Sequence, residues 1–201
     1  MNSNVAAASS MFIWIILDII VGRTRNHNVN TISIPGACSA IVVGLVVVTP
    51  GAGYVQPGYA LLMGLIGGSA VFLFLLGKKY YFHVDDTLDV FSCHGLGGLI
   101  GTILTGVFCQ SDVNADIKNG AFYGHPMQLW YQLVGALVVI GFSSACTAAI
   151  LLPMHFTIGI RINRLDQVRG LDNVAHGVIL EEQPVQPAKP TILKQKQTVQ
   201  P

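Results

Sequence analysis

Residues 85–98, Asp-Asp-Thr-Leu-Asp-Val-Phe-Ser-Cys-His-Gly-Leu-Gly-Gly, run from three carboxylates straight into an apolar, glycine-rich segment that carries one histidine. A neutral imidazole donates a hydrogen bond from one ring nitrogen and accepts at the other, so it can hand a hydrogen bond along a narrow path. Ionisable side chains are costly inside a bilayer, and they generally face a bundle interior or a conduction route. His94 therefore reads either as a pore group or as a satisfied interhelical hydrogen bond. If a helix starts near Asp86, His94 lies eight residues further on, about 12 Å into the helix. That is too deep to snorkel to water, and an imidazolium there is unstable without a partner. Asp85 and Asp86 suit the helix N-terminus, where capping oxygens and the macrodipole favour negative charge. Asp89, about one turn further in, calls for pairing or hydrogen bonding in preference to direct cation binding.

Other chemistries find little support. His27, His83, His125 and His155 show no metal-ligand spacing and read as solvated or interfacial. Cys38, Cys93, Cys109 and Cys146 lie in or beside apolar runs without paired spacing, which argues for small packing residues and against a zinc site or disulfide framework. A redox or metal enzyme needs ligands converging from facing helices, and only His94 sits deep in a span, so no enzyme, metal or cofactor is expected. With a net charge of +1, nothing suggests a nucleic-acid partner.

The elements that carry these residues belong to a membrane. Hydrophobic residues make up 52% of the chain and charged residues 10%, against about 25% charge in a soluble domain. Five stretches are long and apolar enough to cross a bilayer core, at 5–22, 32–49, 59–77, 88–109 and 127–160. The fifth is overlong and must tilt, kink near Pro153, or continue beyond the membrane. Lys and Arg occupy alternate loops: Arg23 and Arg25, then Lys78 and Lys79, then Arg161, Arg164 and Arg169. The intervening loops hold no charge or a net negative one, so the N-terminus is placed outside and the region after the fifth span inside. The first span has no basic leader or cleavage site and reads as a retained helix. Residues 161–182 read as a cytoplasmic region and 183–201, rich in Pro, Gln and Lys, as a disordered tail with Thr191 and Thr198 as weak phosphorylation candidates. Gly64 and Gly68, and Gly97 and Gly101, are four apart, as in tightly packed membrane helices. Phe12, Trp14 and Trp130 are expected to face lipid or the interface.

Residues 85–108, DDTLDVFSCHGLGGLIGTILTGVF, resemble the signature of the Amt/Mep/Rh ammonium transporters, on the Amt/Mep side. Residues 37–55, with their Thr-Pro exit, and Gly170-Leu171-Asp172 with His176-Gly177 are similar to further motifs of that family in the same order. The resemblance implies an all-α, polytopic membrane bundle: the last five helices of an eleven-span, trimeric protein, namely the second half of an inverted repeat plus a long oblique helix. It implies that His94 matches the second of two pore histidines, that Asp89 matches a buried structural aspartate, and that Val90 and, less closely, Val42 line the hydrophobic pore. The substrate it implies is ammonium or ammonia, carried across the plasma membrane. The first pore histidine, the gating phenylalanines and the aromatic recruitment site have no counterpart in this chain, and the C-terminal motif drifts at Val178 and Ile179. Two functions stay open: a subunit that conducts past His94, or a truncated, non-conducting chain that partners a complete transporter.

Overall fold

The computed structural model describes residues 1–25, 33–81, 86, 88–162 and 166–167; the side chains of residues 23–25 and 79 are not among them. Asp85, His27, His83, the C-terminal motif around residues 170–177 and the tail at 183–201 lie outside the described residues. The chain divides into two compact units, residues 1–146 and 147–201.

Helices α1 (Asn2–Arg25), α2 (Ile34–Val48), α3 (Pro57–Tyr81), α4 (Gly97–Phe108) and α5 (Met127–Thr157) follow one another, with no strand among the described residues. A π-helical turn, Phe91–Leu96, leads into α4 and makes with it one continuous apolar span. Among the described residues, five helical segments are thus long and apolar enough to cross a membrane. The protein is an all-α membrane bundle.

Each boundary has a local cause. Ser33 starts α2 by accepting from the Gly36 amide at 3.2 Å, with Pro35 early in the first turn where its missing N–H costs nothing. Thr49-Pro50-Gly51 ends α2 in a 3-10 turn, because Pro50 cannot donate back into the helix. Asn2 clasps that turn from α1, donating to the carbonyls of Ala52 and Val55 at 2.8 Å each.

Helices α1, α2, α3 and α4 form the core of the first unit, around Ala6, Ala40, Val43, Val47, Met63 and Val71, all fully buried. Lipid tails are as apolar as these side chains, so close backbone approach and hydrogen bonds must hold the helices together. Gly64 supplies the approach between α3 and α1, where a Cβ would stand 2.9 Å from Ala6 Cα. Gly101 supplies it between α4 and α2, where a Cβ would stand 2.9 Å from Val47 Cα. Ser9 Oγ donates to Leu61 O at 3.0 Å and Ser10 Oγ to Ala40 O at 2.7 Å, tying α1 to α3 and α2.

Trp14 departs from the sequence reading. It is only 4% exposed and packs edge-on against Phe72 at 5.1 Å, whereas Phe12 is 64% exposed. The two lie two residues apart, so the helical turn sends them to different faces. Gly36, whose Cβ would stand 3.3 Å from the indole Nε1, leaves the room for the ring. Trp130 is exposed as expected. The cysteines divide: Cys93 and Cys109 are buried, Cys38 and Cys146 exposed.

α5 is 31 residues, about 46 Å, longer than a bilayer core of about 30 Å, and none of its residues is buried. In the second unit, Pro153 lies within this helix, and past its end Gln167 Nε2 donates to Ile162 O at 3.0 Å.

Candidate functional site

The segment carrying the histidine is not a plain helix start. Asp89 has φ 55, the left-handed region that residues with a Cβ rarely enter and that Asp tolerates better than most. A continuous helix from Asp86 is therefore broken, and Asp89 stands at the threshold of the helix instead of one turn inside it. Helical backbone resumes at Val90, so His94 is four residues from the start and not eight.

Asp86 caps this new start. Its Oδ1 accepts from the Val90 amide at 2.8 Å and its Oδ2 from the Phe91 amide at 3.2 Å. Those are two of the orphan donors that every helix start leaves. Lys78, in the last turn of α3, donates through Nζ to Asp86 Oδ2 at 2.8 Å, to the Asp86 carbonyl at 3.2 Å and to Asp89 Oδ1 at 3.0 Å. The cation sits at a helix C-terminus and the carboxylate at a helix N-terminus, where each dipole end favours it. The Lys78 ammonium, followed by the two amide donors, holds the Asp86 carboxyl below its usual range against the opposing effect of burial.

Beyond the cap, the Gly97 amide reaches back to the Ser92 carbonyl, closing a turn with one residue more than an α-helix uses. His94 lies in this turn, and its side chain is exposed. It borders an open groove of about 860 Å³. The α2 exit contributes Val46, Thr49 and Pro50; the π-turn and α4 contribute His94, Gly98, Leu99 and Thr102; α5 contributes Gln132, Ala136, Val139 and Ser143. Among the described residues, no acid, lysine or arginine lines it. Such a groove disfavours an ion and offers a neutral, hydrogen-bonding solute only an imidazole, hydroxyls and an amide.

Among the residues singled out from sequence, His94 alone lines this groove. Val90 is 53% and Val42 38% exposed, and both lie outside the lining, as do Asp86 and Asp89. Lys78 had read only as a loop charge; its pairing with two carboxylates eight and eleven residues on follows from the α3 terminus folding back over them. Thr102, Gln132 and Ser143 had no signal in the sequence, because isolated polar residues in a span reveal no facing. No group of three metal-ligating side chains occurs among the described residues.

The described residues thus form a polytopic helical membrane bundle with an imidazole facing a groove lined by no charged side chain. Residues 1–179 match the model of the Ammonium Transporter Family, and the chain belongs to that family. It is similar to Ammonium transporter 1 of Dictyostelium discoideum, 34% identical over 176 residues, covering 88% of this chain and 36% of that protein. Ammonium transporter 2 member 2 of Oryza sativa subsp. japonica is 39% identical over 188 residues, with 88% and 36% covered. The crystal structure of Saccharomyces cerevisiae Mep2 superposes with a TM-score of 0.71 at 32% identity, covering 82% of this chain and 36% of that one. The chain thus spans little more than a third of the length of these relatives.

Proposed function

We propose that this chain serves ammonium transport, and that ammonia or ammonium passes His94 on the way. The observation that carries the reading is the imidazole on an uncharged groove, in a chain of the ammonium transporter family. An ammonium ion loses strong hydration on entering such a surface, so leaving its proton with water at the mouth and entering as ammonia lowers the barrier. Ammonia both donates and accepts, and a neutral imidazole meets it with a complementary donor and acceptor. Val90 and Val42 lie outside the groove lining and are assigned to the apolar path by likeness to the family alone, while Asp86 and Asp89 support the helix start. The complete protein is proposed to be a homotrimer in the plasma membrane, with the N-terminus of this chain outside and its C-terminus inside.

The test uses the full coding sequence that contains this chain, expressed in yeast lacking ammonium uptake. Growth on low ammonium is expected, and His94→Ala should reduce uptake or alter its ion selectivity. Unchanged uptake and selectivity in that variant would remove His94 from the path.

A second reading concerns the 201 residues alone. His94 is exposed and α5 buries no residue, so the described residues enclose no route around the imidazole. The isolated chain is then a non-conducting piece or partner of a complete transporter. Robust uptake by the 201 residues in the same strain would sink this second reading.

A further inference from the structure

We propose that Lys78 is a positioning residue for His94: its ammonium fastens the left-handed kink at Asp89, and through it the π-helical register that turns the imidazole onto the groove. Two chain segments meet at this one cation. The end of α3 brings Lys78, and its Nζ joins the Asp86 carboxylate at 2.8 Å and the Asp89 carboxylate at 3.0 Å. Asp86 in turn holds the first two amides of the helix start. The Asp89 carbonyl accepts from the Cys93 amide at 2.9 Å, so the kinked residue is bonded directly to the turn that carries His94.

The downstream end is fixed independently. Gly101 lies against the Val47 backbone, where a Cβ would stand 2.9 Å from Val47 Cα, so α4 has little freedom to rotate on α2. Between a fixed α4 and a pinned Asp89, the one extra residue of the π-turn decides where His94 faces. Each residue of a helix advances the face by about 100°, so reverting this turn to α-helix swings the imidazole by about that angle. Without Lys78, the two carboxylates face each other unpaired, and only two backbone bonds, from the Asp89 amide to the Asp86 carbonyl at 3.1 Å and from the Cys93 amide to the Asp89 carbonyl at 2.9 Å, are left to hold a conformation its Cβ disfavours.

Lys78→Met in the full coding sequence tests this by cryo-electron microscopy and by ammonium uptake. Expected are loss of the left-handed Asp89, an α-helical path through residues 91–96 with His94 turned from the groove, and uptake lower by about a hundredfold at equal abundance, the scale of a misplaced group. Lys78→Arg, which keeps the cation, should restore both. An unchanged backbone at 89–96 in Lys78→Met overturns the proposal, and so does a shifted backbone with undiminished uptake. Should Lys78→Met fail to accumulate, the uncharged variant Lys78→Met/Asp86→Asn/Asp89→Asn replaces it, and retention of the π-turn there overturns the proposal equally. The uptake arm rests on the conduction reading; if the unsubstituted protein carries no ammonium, the structural arm still decides whether Lys78 sets the register.

Discussion

His94 and Trp14 are both bulky, partly polar rings in apolar spans, and the bundle treats them oppositely. Trp14 turns inward on Phe72, beside the space left by Gly36, while His94 opens to the groove. Trp14→Ala should therefore destabilise the bundle by about 3–5 kcal/mol, as large-to-small core changes do. Reversible unfolding in mixed micelles measures it, with the exposed Phe12→Ala as the near-neutral control. At Asp86 the depressed pKa contributes stability that is complete above the ordinary carboxylate value of 3.8 and is lost as pH falls through the lower folded value. Acid titration of the folded protein should accordingly show a loss of helix below pH 3.8 that Asp86→Asn removes. A loss of the same size in Asp86→Asn would assign the acid sensitivity elsewhere.

Helices α1, α2, α3 and α4 are held by proximity more than by polarity. Gly64→Val would press a branched side chain into Ala6 of α1 and should cost on the order of 1–3 kcal/mol, the usual scale of overpacking. Gly53 offers the contrast, since a Cβ there meets nothing within 4 Å. With no positive φ to preserve, Gly53→Ala should leave the midpoint of thermal unfolding in detergent unchanged or raise it slightly. Equal destabilisation by the two changes would mean that close backbone approach is not what binds α3 to α1. The spans themselves were legible in the chain because hydrophobicity over some twenty residues is a local property. The π-turn was not, since no periodicity distinguishes one extra residue, and the kink at Asp89 depends on a cation eleven residues earlier.

For the whole molecule, the alternating loop charges make a topological prediction. With the native cysteines removed, Asp116→Cys in the exposed loop before α5 should react with a membrane-impermeant maleimide on intact cells, and Tyr81→Cys at the end of α3 should not. The reverse pattern would invert the proposed orientation. The chain belongs to the ammonium transporter family and spans little over a third of the length of the relatives it matches; in it the groove bordered by His94 stands open and α5 buries no residue.

The carboxylate-to-histidine run illustrates where the division falls. From the sequence alone came the membrane class, the helical spans, the costly imidazole at position 94 and the acids before it, since each follows from residue type and local hydrophobicity. Only the tertiary structure decided that the helix restarts after Asp89, that Lys78 ties both carboxylates, and that His94 faces a groove while Trp14 is enclosed. Facing is a rotation about the helix axis, and it is set by the close approach of α4 to α2 and by an ion pair from α3, not by the order of residues within any one span.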